Sequence, residues 1–202
     1  DRAIGGMTPA CTQRAIALYS LFVEGELVPT DVRSAELCKL AENAFRDVNI
    51  AYANELANVC DALDMNVWEV IRLANRHPRV NILSPGPGVG GHCIAVDPWF
   101  IAEAAPDDTP VIQAARRVND GRPQRVIDKV LAAIAAHPKQ SAATVACLGL
   151  AFKANIDDLR ESPAMAVAVG LAEQTGNPLL MVEPNVTALP KKLAGGRSRL
   201  ID

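Results

Sequence analysis

Thr144-Val-Ala-Cys-Leu-Gly-Leu150 is a continuous apolar run, and together with the residues downstream of it this run decides the fold class. Ser162-Pro163 then opens a helix expected to end at Gly176, and Leu179-Leu-Met-Val-Glu183 is a second apolar strand. Serine before proline is the order of a cap and a first helical residue. Strand, helix, strand predicts a parallel βαβ unit, because parallel strands need a crossover connection. The expected fold is therefore α/β, with a partial Rossmann-like unit over 139–202. Two strands make a poor sheet, so that unit is expected to be incomplete.

Upstream of this run the pattern is helical. Pro110 to Asn119 and Pro123 to Ala136 read as helices separated by Asp120-Gly121. Asp97-Pro98 reads as cap plus first-turn proline, and Asn66-Val-Trp-Glu69 resembles a capping box whose helix stops before His77-Pro78. The longest pattern runs from Ser34 to about Leu63, where Leu37, Ala41, Ala44, Val48 and Ala51 form a candidate buried stripe. A second stripe, Lys39, Asn43, Arg46, Ile50 and Asn54, is unusually polar. Leu40, Phe45 and Tyr52 are apolar on other sides, which suggests that the polar stripe is enclosed. These segments predict an all-helical middle unit over 32–138. Residues 1–31 read as a strand end, a helix over Ala10 to Val23 behind Thr8-Pro9, and a strand over Glu26 to Pro29. That is the closing piece of a larger α/β domain, and both ends of the chain look cut.

Composition excludes several classes. The chain has 202 residues, half of them apolar, a net charge of -3, and only two Trp, two Tyr and four Phe. A nucleic-acid binder normally shows a basic face with stacking aromatics. No apolar run approaches the roughly 18 residues of a membrane span. The start carries neither an initiator Met nor a signal-peptide pattern, so a cytoplasmic protein is the default expectation. Cys11, Cys38, Cys60, Cys93 and Cys147 are odd in number and never paired as Cys-x-x-Cys, which suits reduced thiols, most of them buried. His77, His92 and His137 are too dispersed for a metal site, and none is expected. The basic cluster Lys191, Lys192, Arg197 and Arg199 lies among Pro and Gly and reads as a solvated loop.

The least ordinary segment is Ser84-Pro-Gly-Pro-Gly-Val-Gly-Gly-His-Cys93. Four glycines in six residues leave backbone amides free for a ligand. Gly86, Gly88 and Gly91 satisfy G-x-G-x-x-G literally, but Pro87 interrupts the motif and no helix comes directly after it, so a dinucleotide fingerprint is rejected. Composition alone leaves a tight structural loop and a ligand loop both open. Cys93 closes the segment beside His92, and a thiol among free amides is a candidate nucleophile. If the loop is extended, His92 points away from its neighbour and shapes the loop or touches ligand. Lys39 and Asn43, four apart on a helix, could jointly bind an oxyanion. Lys153 and Arg160 lie where ligands of parallel sheets bind. Their alternative is surface charge around a helix cap.

Taken together, these motifs resemble the UDP-glucose/GDP-mannose dehydrogenase family. Its middle-domain motif reads here Ala35-Glu36-Leu-Cys-Lys39-Leu-Ala-Glu-Asn43, its nucleophile motif Gly90-Gly91-His92-Cys93-Ile-Ala-Val-Asp97-Pro98, and its third signature Gly149-Leu-Ala-Phe-Lys153 followed by Asp158-Leu-Arg160-Glu161-Ser162-Pro163. Gly-Gly-His-Cys is similar to the branch acting on UDP-N-acetylhexosamines. Arg76-His-Pro-Arg79-Val-Asn81-Ile-Leu83 and Ala95 resemble members that oxidise UDP-N-acetyl-D-mannosamine. The resemblance implies an NAD-dependent, two-step oxidation of the sugar C6 alcohol to a uronate, in surface-polysaccharide precursor synthesis. It assigns Cys93 as the nucleophile, Lys39 and Asn43 as oxyanion stabilisers, and Asp97 to water activation. It further implies that Arg79, Asn81, Leu83, Gly88, Gly90, Gly91, His92, Phe152 and Lys153 bind substrate, that Arg160 faces the cofactor, and that the protein is a homodimer paired through the long helix. The family's N-terminal nucleotide-binding domain is absent except for its last strand, helix and strand, so the piece is expected to be inactive alone. Three other readings stand beside this one: a related UDP-N-acetylglucosamine dehydrogenase of the same family, a non-catalytic dimerisation scaffold, and a thiol hydrolase using Cys93 with His92.

Overall fold

The computed structural model describes residues 1–140, 143–194 and 196–201. The expected α/β class holds, with small parallel sheets at both ends of a helical middle. Strand β1 (Arg2–Gly6) pairs in parallel with β2 (Leu27–Asp31) across α1 (Pro9–Tyr19). Thr8 caps α1 by accepting from the Cys11 amide, with Pro9 as the first helical residue. Helix α2 (Val32–Ala62) then runs for 31 residues, about 46 Å at 1.5 Å per residue. Asp31 starts it by accepting from the Ser34 amide.

The short α3 (Val67–Ala74) begins as expected, with the Asn66 side chain accepting from the amides of Trp68 and Glu69. Helices α4 (Asp97–Ala104) and α5 (Pro110–Asp120) both pack against α2. They cover only part of its length, which corrects the candidate stripe. Ala44 and Ala51 are buried, Val48 is half-buried, and Leu37 and Ala41 are exposed. The buried face of α2 interleaves Asn43, Asp47 and Asn54 with Ala44, Ala51, Ala53, Ala57 and Cys60, so polar side chains are enclosed among small apolar ones.

Helix α6 (Arg122–Ala136) packs on α7 (Pro163–Gln174), and Gly170 lets the two approach. A Cβ there would lie 2.4 Å from the Ile127 side chain. Ile127 thereby joins Leu150, Ala168, Leu171, Leu179 and Met181 in one buried cluster. Strands β3 (Val145–Leu148) and β4 (Leu179–Val182) pair in parallel as expected, and Ser162 caps α7. A third parallel strand, β5 (Ser198–Ile201), extends the sheet in the order β3-β4-β5. The reading of the basic cluster as a loop is therefore corrected at Arg199, which lies within β5. Its charge masks a short strand in which Leu200 turns back toward the core cluster. Among the described residues, no helix is long and apolar enough to cross a membrane.

Candidate functional site

The start of α4 carries the first site residue. The expected cap of this helix, Asp97, is instead its first helical residue, and Val96 occupies the cap position with no side-chain bond. The carboxylate is engaged elsewhere. It accepts from Asn43 Nδ2 at 2.5 Å, across the α2–α4 contact. Asn43 is only 8 % exposed and Asp97 half-buried, so this bond is partly screened from water. On its other side, Asn43 Oδ1 accepts from Lys39 Nζ at 3.3 Å. Lys39 also reaches Glu42 Oε2 at 3.4 Å, an exposed pair of small energetic weight. Lys39, Asn43 and Asp97 thus form one hydrogen-bonded chain from the surface inward.

Cys93 joins that chain through the backbone. Its carbonyl accepts from the amides of Val96 at 2.9 Å and Asp97 at 2.7 Å. Residues 92–96 form a turn, not the extended loop on which His92 would point away from its neighbour. The turn brings His92 Nδ1 to 3.5 Å from Cys93 Sγ, with both side chains exposed. The cysteines also differ from the expectation of burial. Cys60 is buried and Cys147 half-buried, while Cys11 and Cys38, on exposed helix faces, and Cys93 are exposed.

Three of the glycines ahead of Cys93, Gly88, Gly90 and Gly91, let the two halves of the chain pack closely. A Cβ on Gly90 would lie 2.6 Å from the Glu161 carbonyl oxygen, 2.7 Å from Pro163 Cδ and 2.8 Å from Phe152 Cβ. Gly91, buried and at φ +85°, faces the Phe152 ring, and Gly88, at φ +139°, faces Asn119 and Pro163. Phe152 is therefore part of the loop's wall. Lys153, next to it, is exposed. Arg160 is also exposed and forks onto Asp158 with contacts of 2.7–3.2 Å. That side-chain bond is the main cause holding the Asp158 carboxyl down at about 2. Arg79 and Asn81 are exposed and Leu83 half-buried, on a strap held at Ile82 by both ends of the Asn75 amide, at 2.7 and 2.9 Å.

Residues beyond the motifs hold the loop from below. Gly86 donates its amide to Asn54 Oδ1 at 2.8 Å, and its carbonyl accepts from Arg122 Nε at 3.0 Å. Asn54 in turn donates to Asn119 Oδ1 at 2.9 Å, and Asn119 donates to Asp47 Oδ1 at 2.8 Å. Arg116 pairs with Asp47 at 2.6 Å, with both side chains almost wholly buried. Burial pushes the Asp47 carboxyl up, against the pull of Arg116. The signal in the sequence was a polar residue at 43, 47, 54 and 58 along α2. An Asp on that face is read as solvated by any rule that assigns interiors to apolar residues.

The site does not form a dinucleotide cradle. In such a cradle the glycines leave room for a pyrophosphate; here Phe152, Glu161 and Pro163 occupy that space at Gly90. A groove of about 1110 Å³ opens between α6, α7 and residues 157–163, lined by Val89 and Arg160 among others but not by Cys93. Among the described residues, no group of three His, Cys, Asp or Glu side chains is placed to hold a metal ion.

Comparison with known proteins bears on this arrangement. Two models of the UDP-glucose/GDP-mannose dehydrogenase family match, the central domain over residues 33–121 and the UDP binding domain over 146–202. The chain is 60 % identical over 200 residues to the UDP-N-acetyl-D-mannosamine dehydrogenase of Salmonella typhi, covering 96 % of this chain and 48 % of that protein. It is 58 % identical over 195 residues to the NDP-N-acetyl-D-galactosaminuronic acid dehydrogenase of Ralstonia solanacearum, covering 96 % of this chain and 45 % of the relative. Among solved structures, the UDP-N-acetyl-mannosamine dehydrogenase of S. aureus superposes with a TM-score of 0.81 at 45 % identity, over 92 % of this chain and 44 % of the other. The chain spans about half the length of the curated relatives it matches.

Proposed function

Because the chain belongs to the UDP-glucose/GDP-mannose dehydrogenase family, we propose that the whole protein oxidises the C6 alcohol of a UDP-N-acetylhexosamine to the carboxylate, with UDP-N-acetyl-D-mannosamine as the preferred substrate. The observation that carries this reading is the Lys39–Asn43–Asp97 chain, joined through one backbone turn to Cys93. Two successive two-electron oxidations are needed, for which NAD is the proposed acceptor. The Gly86 to Gly91 loop does not form its cradle, since Phe152, Glu161 and Pro163 fill the space at Gly90.

The steps assigned to this chain concern the carbonyl carbon. Once C6 is an aldehyde, the Cys93 thiolate adds to it and a C–S bond forms. The carbonyl oxygen takes up the negative charge, and Lys39 with the second amide hydrogen of Asn43 is the donor set offered to it. A thioester forms in the second oxidation. Asp97 orients and deprotonates the water that cleaves it, releasing carboxylate and thiol. Asn43 keeps that carboxylate directed by donating to one of its oxygens. Phe152 and Gly88 to Gly91 form the loop wall on which the sugar rests, with Arg79, Asn81, Leu83, His92 and Lys153 as further substrate contacts and Arg160 on the cofactor side. A cytoplasmic homodimer working in surface-polysaccharide precursor synthesis completes the proposal.

The test is turnover by the full-length protein with UDP-N-acetyl-D-mannosamine and NAD. Two NADH per sugar are expected, and Cys93→Ser should bind the sugar without turnover. One NADH per sugar with free aldehyde would overturn the thioester route. The Ralstonia relative, named an NDP-N-acetyl-D-galactosaminuronic acid dehydrogenase, favours an N-acetylgalactosamine nucleotide as a second substrate. A higher kcat/KM for that sugar would select it.

A further inference from the structure

Gly86 opens the loop that ends at Cys93, yet it has no steric need to be glycine, since a Cβ there would meet nothing within 4 Å. Its peptide is held chemically at both ends. Asn54 accepts its N–H, and Arg122, itself bonded to the Asn58 side chain, donates to its carbonyl. Asn54 and Asn58 lie one turn apart on α2, so a single helix face governs both holds.

The hold at Asn54 has a direction that its backing enforces. Arg116 can only donate, so Asp47 receives it; Asp47 can only accept, so Asn119 turns its NH2 group toward it. Asn119 then presents its oxygen to Asn54 and receives the Asn54 NH2 group. That leaves the Asn54 oxygen facing Gly86. Asp47, Asn54, Arg116 and Asn119 are 0–2 % exposed, so water does not offer a substitute orientation. An amide whose orientation is set by three buried groups behind it exceeds what a surface loop needs for folding alone.

We infer that Asn54 and Arg122 are positioning residues that hold the Gly86 peptide and thereby set where the loop delivers Cys93, an inference that rests on Cys93 being the nucleophile. Asn54→Asp keeps the acceptor for Gly86 but sets a carboxylate oxygen against the Asn119 oxygen. Asn119 cannot turn over without presenting its oxygen to Asp47. Arg122→Lys leaves the buried relay intact and removes the Nε donor from the Gly86 carbonyl.

The experiment uses the full-length protein, with amide hydrogen exchange and steady-state kinetics read side by side. Both variants should exchange the amides of 86–93 at least tenfold faster while α5 amides exchange as in the parent, and kcat should fall at least tenfold. Parent-like exchange at 86–93, or parent kcat in both variants, would overturn the inference. If Asn54→Asp does not fold, Arg122→Lys decides alone. Cys93→Ser is run beside them. Turnover in that variant would remove the nucleophile reading while leaving the exchange result to judge the hold on the loop.

Discussion

Asn43 and Asp97, 54 positions apart in sequence, meet at 2.5 Å with the amide donating to the carboxylate. The bond ties the long helix α2 to the first turn of α4, where the Asp97 amide also donates to the Cys93 carbonyl. With Asp97 as the water-activating base, Asp97→Asn removes the base but not the thiol. In the full-length protein, turnover is expected to fall by about 10²–10⁴-fold with substrate binding retained. The acylated enzyme should accumulate, and intact-protein mass spectrometry after mixing with UDP-sugar and NAD would read the added mass. Slow turnover without a covalent adduct would place Asp97 at an earlier step.

The glycines of the loop should separate cleanly by substitution. Gly90→Ala must displace Glu161, Pro163 and Phe152, which lie 2.6–2.8 Å from the added carbon. Overpacking of that kind costs about 1–3 kcal/mol, measured as a lower urea midpoint. Gly86→Ala meets open space and keeps its N–H, so its stability is expected to stay within about 0.5 kcal/mol of the parent. Equal effects at the two positions would mean that the loop is not held where the contacts put it.

Much of this arrangement was legible in residue order, and the remainder was hidden for physical reasons. Thr8-Pro9, Asn66 and Ser162 announced their helices because capping is local chemistry. Asp97 carried the same local signal and broke the rule, since a carboxylate with a buried amide in reach is drawn away from its own helix. Asp47 and Asn54 face inward because α5 supplies Arg116 and Asn119 as partners, and no pattern within α2 alone predicts partners from 65–72 positions away. Strand β5 was missed because Arg199 sits on the exposed side of a short edge strand. Its pairing with β4 satisfies the backbone without an apolar alternation of useful length.

Acid should loosen the C-terminal sheet through Glu183. This carboxylate, 4 % exposed, accepts from the amides of Leu150 and Ala151 at 2.8 and 3.1 Å. The Leu150 bond is the main cause holding its carboxyl below the ordinary 4.5. A depressed folded-state value stabilises above the unfolded value and is lost as pH falls through the folded one. Glu183→Gln should therefore lose about 2 kcal/mol at neutral pH, and the gap to the parent should shrink below pH 4.5. Asp47, with its carboxyl pushed up by burial, has the opposite sign; its titration favours the fold at low pH and works against it as pH rises. Urea unfolding at neutral and acid pH reads both. A Glu183→Gln gap that does not change with pH would mean that packing, not charge, sets the loss.

The outer side of α2 carries a different ridge. Phe45, Tyr52 and Val59 recur at steps of seven and are 72, 57 and 48 % exposed, so they stand nearly in line, drifting about 20° per step. Large aromatic side chains each cover about 150–250 Å² when buried, and a row of them in water is costly unless a partner covers it. Twofold pairing suits a single helical ridge, because each copy presents the same patch to the other. The opposite side of this helix grips Asp97 and Gly86, so the exposed ridge and the candidate site share one helix. The chain is expected to run at twice its monomer mass in sedimentation. Phe45→Glu with Tyr52→Glu should give the monomer with its helical circular dichroism unchanged, since neither side chain supports the buried face. A dimer that survives the double substitution would put the interface elsewhere, and a parent chain that is already monomeric would leave the ridge without a role in pairing.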